Sequence, residues 1–400
     1  MEIKRSVFND LVRDFDDPNV LILLGARQVG KSTLMSQLKK EAEKLSRPIL
    51  NFNLEFPDDL LFFSSSDKDL FYKLTAQPNS VIFIDEFHYL KNASKLFKAI
   101  YDTKKNIKII ASGSSSLEIH KHLKESLAGR RKIVEIFPLS LEEFNQTGDT
   151  IENYLIFGGL PGLIHIKSRQ AKIEYLSQMV QTYILKDIKG LIKEENIRAF
   201  NHLLFYLAEH QGNILPVSNM ASEIGVTQNT VNHYLEILEQ TFIVYGVHSY
   251  SSKLANELKK SQKYFFYDSG ISNSFIKNFS PLSLREDLGC IYESLVFREL
   301  KKKQTSNVDL RFWRTKNGDE VDFVWIEDRV AHPIEVKTTT TNDRPPRGLL
   351  KFLKTYPKAK MGQIFNLTRS EIISVDNFVI HYLQFSDLVR GIIKKDIMND

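Results

Sequence analysis

Residues 21–34 read LILLGARQVGKSTL, and this stretch decides the fold. Val20 to Leu24 is an apolar run with the length of a buried strand. Gly25 to Ser32 fits G-x-x-x-x-G-K-[ST] at every fixed position, and a helical pattern runs from Ser32 to Leu45. Strand, glycine loop and helix in that order give a phosphate-binding motif its context. Gly25 and Gly30 let the backbone N–H groups curl round an anion without Cβ clashes. The helix N-terminus adds partial positive charge. Lys31 reaches the β- and γ-phosphates, and the Ser32 hydroxyl suits Mg²⁺. The candidate nucleotide-binding set is therefore Gly25, Ala26, Arg27, Gln28, Val29, Gly30, Lys31, Ser32 and Thr33.

A second stretch supports it. Val81-Ile-Phe-Ile-Asp85-Glu86 is four apolar residues followed by two carboxylates. Asp85 is the candidate for the Mg²⁺ shell, and Glu86 for orienting or activating an attacking water. Together the two stretches imply an ATP-type site with Mg²⁺ in an α/β domain.

Composition bounds the rest. A chain of 400 residues makes two to four domains. No apolar run approaches a membrane span, and the N-terminus lacks an apolar signal region, so a cytoplasmic protein is expected. A lone cysteine, Cys290, excludes internal disulfides and cysteine-based zinc sites; its apolar neighbours suggest a buried thiol. Charge is uneven along the chain. Residues 199–252 carry no Lys or Arg and four Asp or Glu, between two basic blocks. This places boundaries near 198 and 252.

Residues 1–20 hold an amphipathic helix, and Pro48 to Leu54 alternates into a strand. Residues 57–66, with Pro57 and three serines, read as a loop. Leu70–Leu74 is a short helix, Ala93–Tyr101 another, and Ile107–Ala111 a buried strand. Alternating strands and helices imply a mostly parallel sheet covered on both faces. Leu127-Ala-Gly-Arg130-Arg131 offers two guanidinium groups on an expected loop, and Arg130 is the candidate arginine finger.

The order of these motifs carries a resemblance: SGSS after the strand, then AGRR, then IFPLSLEEF from Ile136, then FGGLPG from Phe157. The chain resembles, nearly end to end, prokaryotic AAA+-like (STAND-type) ATPases whose C-terminal domain of unknown function is similar to PD-(D/E)XK nucleases. The resemblance implies an AAA+-like core over 1–150, a helical lid over 151–198, a winged helix-turn-helix over 199–252 and a restriction-endonuclease-like α/β domain over 253–400. It sets Ser114 where an AAA+ ATPase keeps a polar sensor beside the γ-phosphate. Tyr183 and Asp187 match the family without an apparent role.

In 199–252, Leu203, Leu204 and Leu207 make one apolar face and Thr227 caps Gln228 to Gln240 at the recognition-helix position. DNA affinity comes chiefly from Lys and Arg on phosphates, and this block has none. Packing against the ATPase core, or against a neighbouring copy in a homo-oligomer, is the favoured role.

The last block holds a second candidate site. Asp322 is followed after twelve residues by Glu335-Val-Lys337. On adjacent strands the two carboxylates and the amine share a face. Two carboxylates can hold Mg²⁺, which activates a bound water, and Lys337 can orient that water or neutralise charge. The spacing resembles the PD-(D/E)XK core, and Glu293 matches the acid on the family's preceding helix. Lys301 to Lys303, Arg311, Arg314, Arg344 and Arg347 are phosphate candidates for nucleic acid. The alternative is an ion-pair ladder on an inactive scaffold. Two functions follow: an ATPase coupled to a module that binds or cleaves nucleic acid, or a nucleotide-dependent switch without nuclease activity.

Overall fold

The computed structural model describes residues 3–90, 92–113, 127–184, 197–251, 261–338 and 344–389. Ser114 and Asp187 lie outside the described residues. The chain forms two compact units. The first takes Met1–Leu139 with Leu160–Ile164 and Ile237–Ile243. The second takes Ser140–Gly159, His165–Glu236 and Val244–Asp400.

In the first unit five strands form one parallel sheet: β1 (Val20–Leu24), β2 (Ile49–Asn53), β3 (Val81–Asp85), β4 (Lys108–Gly113) and β5 (Arg131–Glu135), in the order β2-β3-β4-β1-β5. The central strands of a parallel sheet are buried on both faces, which is why β1, β3 and β4 read as largely apolar runs, while the edge strands β2 and β5 are only partly buried. Val20, Ile22, Leu24, Ile82, Ile84, Ile109 and Ala111 pack on the helices Asp67–Leu74 and Ala93–Asp102 through Leu70, Leu74, Phe97 and Ile100. The helix Lys31–Lys44 packs against β2, β3 and β4 through its buried residues, among them Leu34 and Leu38. The order reverses between β1 and β4, and ligand crevices of open α/β sheets form at the carboxyl ends of strands at such a point.

Residues 57–66, expected as a loop, contain the helix Pro57–Phe63. Proline at the first helical position loses no hydrogen bond there, and Asp58 and Asp59 favour the helix N-terminus.

The second unit opens with the helix Leu141–Asn145, closed by a capping box in which Ser140 and Glu143 bond reciprocally. The helix Ile151–Phe157 follows and ends at Gly158. Further helices are Arg169–Gln178, Ile197–Glu209, Val217–Ile224 and Gln228–Gln240. Tyr183 lies in the π-helical stretch Met179–Ile184. Leu203, Leu204 and Leu207 are fully buried. Three short antiparallel strands, β6 (Ile214–Leu215), β7 (Val244–Val247) and β8 (Gln262–Phe266), pair in the order β6-β8-β7.

A mixed six-stranded sheet completes the unit: β9 (Val308–Arg314), β10 (Glu320–Glu327), β11 (Val330–Val336), β12 (Met361–Asn366), β13 (Glu371–Val375) and β14 (Phe378–Gln384), ordered β13-β14-β12-β11-β10-β9. One face packs on the helix Arg347–Thr355 through Leu349, Phe352 and Leu353. On the other, Phe297 of the helix Leu288–Lys303 stacks on Phe265 at 4.4 Å and tilts against Phe323. No helix among the described residues is long and apolar enough to cross a membrane.

Candidate functional site

The glycine loop joins the carboxyl end of β1 to the helix Lys31–Lys44. At Gly25 a Cβ would lie 2.2 Å from the Ile136 carbonyl oxygen, so the chain leaving β5 crosses too close for any side chain. Gly30 caps the helix in the left-handed region, with Arg5 and Pro161 beside it. Arg5, which sequence reasoning missed, braces the loop: its guanidinium donates to Val29 O at 2.9 Å and Phe137 O at 2.7 Å.

Lys31 is buried, and its Nζ donates to Gly25 O at 2.9 Å and Ala26 O at 2.8 Å. The ammonium thus spans the loop that an anion would enter. Burial pushes its pKa down to about 8, against the opposing pull of Glu86 and Asp85. Ser32 and Thr33 sit exposed on the first helical turn. A polyphosphate favours the charged lysine. Nucleotide affinity is therefore expected to hold below pH ~8 and to fall above it, by up to about tenfold per pH unit. Calorimetric titrations between about pH 7 and about pH 9 check this; a flat profile would exclude Lys31 as the titrating contact.

Asp85 closes β3, and its Oδ1 accepts from the Ser112 hydroxyl and from Glu86 N. Glu86 takes a left-handed backbone, φ 53° and ψ 46°, and His88 Nδ1 stands 3.1 Å from its Oε2. Burial raises the Glu86 pKa, but the His88 ring and the charges of Lys31 and Arg27 outweigh it and hold the carboxyl below its usual range. Glu86 is thus ionised at neutral pH. His88 and Ser112 were not foreseen.

Arg130 is not brought to this loop. Val20 N donates to Arg130 O, and β5 runs parallel to β1 from Arg131 opposite Val20. Both arginines therefore sit at the amino edge of the sheet, with the loop at the carboxyl edge, about 13 Å along the strand. Arg130 Nε pairs with Asp102 Oδ1 at 3.2 Å and its guanidinium lies over the Tyr101 ring.

The second cluster lies between the six-stranded sheet and the helix Leu288–Lys303. Lys337 Nζ is 2.6 Å from Glu335 Oε1, and Val336 N donates to Asp322 Oδ2 at 2.8 Å. A β-bulge between Val321 and Val324 turns both valines into the apolar core and leaves Glu320 and Asp322 within reach of one cation. That cation is Lys263 of β8, absent from the sequence reading. Its side chain is 2% exposed, and its Nζ lies 2.9 Å from Glu293 Oε1, 2.7 Å from Glu320 Oε1 and 3.9 Å from Asp322 Oδ1. Burial would lower its pKa; Glu293, Asp322 and Glu320 outweigh that and keep it charged. Burial pushes the Glu293 and Glu335 carboxyls up to about 8, with Asp322 adding to both.

Among the described residues no three carboxylate, imidazole or thiolate side chains converge at metal-ligating spacing. The arrangement as it stands does not fit a divalent cation. The basic side chains nearby are largely engaged: Arg347 with Asp319, Arg314 with Glu320, Arg311 with Asp309, Lys302 with Glu299. Cys290, half-buried, donates to Gln211 O at 3.2 Å, and burial pushes its pKa up to about 12.

A parallel sheet with a glycine loop at its switch point, a buried lysine across that loop and two carboxylates at the end of β3 make a P-loop ATPase-like domain. Residues 17–145 match a family described as AAA domain. Residues 148–282 and 288–385 match two families, each described as a domain of unknown function (DUF8612 and DUF4143). An uncharacterized protein of Mycobacterium tuberculosis is 24% identical over 80% of this chain and 71% of its own length. One from Haemophilus influenzae is 24% identical over 80% and 83%. Among solved structures, a Walker-type ATPase of Pyrococcus abyssi covers 69% of this chain and 96% of its own at 18% identity, with a TM-score of 0.49. The replication initiator DnaA, bound to AMPPCP and single-stranded DNA, covers 60% and 89% at 14% identity, with a TM-score of 0.31.

Proposed function

We propose that the chain is an ATP-hydrolysing switch of the AAA+ type, in which nucleotide state at residues 25–33 drives rearrangement of the C-terminal parts. The observation that carries this is the buried Lys31 ammonium lying across the glycine loop on the Gly25 and Ala26 carbonyls, at the carboxyl end of a parallel sheet whose β3 ends at Asp85 with Glu86 next in the chain, which supports one site holding phosphate and carboxylates together. Ser32 and Asp85, both hard oxygen donors, would hold Mg²⁺, which would neutralise phosphate charge. Lys31 binds the phosphates, and Glu86 accepts a hydrogen bond from the attacking water and takes its proton as the water oxygen bonds to the γ-phosphorus and the bond to the β–γ bridging oxygen breaks, releasing ADP and phosphate. Glu86→Gln is expected to bind ATP with wild-type affinity and turn it over at least about tenfold slower. Turnover at the wild-type rate would leave Glu86 a purely structural role.

The helices and short strands of residues 197–266 suit a winged helix-turn-helix. Without Lys or Arg in 199–252, packing is its role rather than DNA reading. A second reading couples the ATPase to a PD-(D/E)XK-like module in which Asp322, Glu335 and Lys337 bind or cleave nucleic acid. Lys263 amid the carboxylates favours the switch without cleavage. Cleavage of plasmid and single-stranded DNA, with Glu335→Ala as control, separates the two.

A further inference from the structure

We propose that Lys263 is a resident cation that closes the Glu293/Glu320/Asp322/Glu335 cluster to divalent metal, and that the cluster takes a metal ion only when this ammonium is withdrawn. The inference deepens the second reading above and is independent of ATP hydrolysis.

The geometry is that of a cation shell. Glu293 comes from the helix Leu288–Lys303, Glu320 and Asp322 from β10, and Glu335 from β11. Three of the four surround one nitrogen, two of them within 2.9 Å. Mg²⁺ and Ca²⁺ draw carboxylate oxygens to about 2.0–2.6 Å, so a metal ion and this ammonium cannot share the space. A separate observation points the same way. Glu335 is buried, 5% exposed, and its Oε2 has no hydrogen-bond partner among the described residues while Oε1 is held by Lys337. A buried carboxylate oxygen left in that state asks for a cation or a donor.

Delivery matters as much as occupancy. The carboxylates belong to the six-stranded sheet and its covering helix. Lys263 belongs to β8, at the centre of the separate three-stranded sheet. It reaches across, with Phe312 of β9 5.5 Å beneath its Nζ. A shift of β8 against β10 would therefore remove the cation without disturbing the pairing that sets the carboxylates. Buried like charges cannot remain unbalanced, so an incoming metal ion would replace what the lysine supplied.

The test uses nucleotide-free full-length protein, with MnCl₂ or EDTA, read by thermal unfolding and calorimetry. The wild type is expected to show no Mn²⁺ stabilisation that Glu293→Gln removes. Lys263→Ala is expected to melt lower in EDTA and to regain about 5 °C or more at a hundredfold excess of Mn²⁺ over its Kd. Adding Glu293→Gln to Lys263→Ala should abolish that regain. If Lys263→Ala folds only in the presence of Mn²⁺, the exchange of cations is shown directly. Wild-type protein stabilised by Mn²⁺ through Glu293 would overturn the proposal. So would a folded Lys263→Ala protein indifferent to Mn²⁺, or one that folds under neither condition. Because no nucleotide is present, these failures leave the ATPase reading untouched.

Discussion

Lys31→Ala is expected to abolish nucleotide binding, with a loss of at least about a hundredfold, while the chain still unfolds cooperatively. The argument has two parts. Binding depends on the ammonium because it lies across the loop: Lys31 Nζ bridges the Gly25 and Ala26 carbonyls, and a bound polyphosphate would take those hydrogen bonds over. A charge-assisted contact of this kind contributes roughly 1.5–3 kcal/mol, and loss of charge attraction to several phosphate oxygens adds to it. Folding does not depend on it to the same degree. Residue 31 opens a 14-residue helix, alanine is the best helix former, and the leucines that anchor the helix are untouched. Two carbonyls lose a donor, at a cost of about 1–3 kcal/mol. Calorimetry with ATP and Mg²⁺ reads the first part and thermal unfolding the second. Unchanged affinity would remove the nucleotide site from residues 25–33.

What was legible in the sequence was local. The glycine loop, its strand and its helix are fixed by residues adjacent in the chain, and the helix expected from Ser32 to Leu45 is Lys31–Lys44. Asp85 and Glu86 close a strand for the same reason. The helix at Pro57 had a local signal, a proline followed by two aspartates, but the three serines after it weighed towards a loop. Arg130 shows the other limit. Its residue type suits a finger, and nothing nearby in sequence tells which edge of the sheet it will occupy. That depends on β5 running parallel to β1, which only the tertiary pairing decides. Lys263 fails to announce itself for a related reason. A lysine before Tyr-Phe-Phe reads as a solvated strand start, and the carboxylates that hold it come from two elements later in the chain. The bulge in β10 is equally invisible, because Val321 and Val324 share a face only through the extra residue between them.

The largest effect on stability is expected at Gly158, the first glycine of the FGGLPG stretch. Gly158 ends the helix Ile151–Phe157 with φ 83° and ψ −172°, a region that is essentially glycine's alone. A Cβ there would meet the Asp268 carboxylate at 2.0 Å. That carboxylate cannot step aside cheaply. It is buried, it accepts from Gly159 N at 2.7 Å and from Ile271 N at 3.2 Å, and through the second bond it caps the helix Ser269–Phe275. Gly158→Ala therefore combines backbone strain of about 1–3 kcal/mol with overpacking of about 1–3 kcal/mol. Displaced hydrogen bonds to a buried carboxylate add to both. The expected loss is at least about 3 kcal/mol, a fall in Tm of roughly 6 °C or more for a unit of this size. The cause can be isolated with a double-mutant cycle. Asp268→Ala removes the obstructing carboxylate and costs stability by itself, because the cap is lost. If the clash is what Gly158→Ala introduces, the double variant should be more stable than the sum of the single losses requires, by about 1 kcal/mol or more. Strict additivity would assign the whole effect to the backbone, and a Gly158→Ala protein melting with the wild type would remove the close approach altogether.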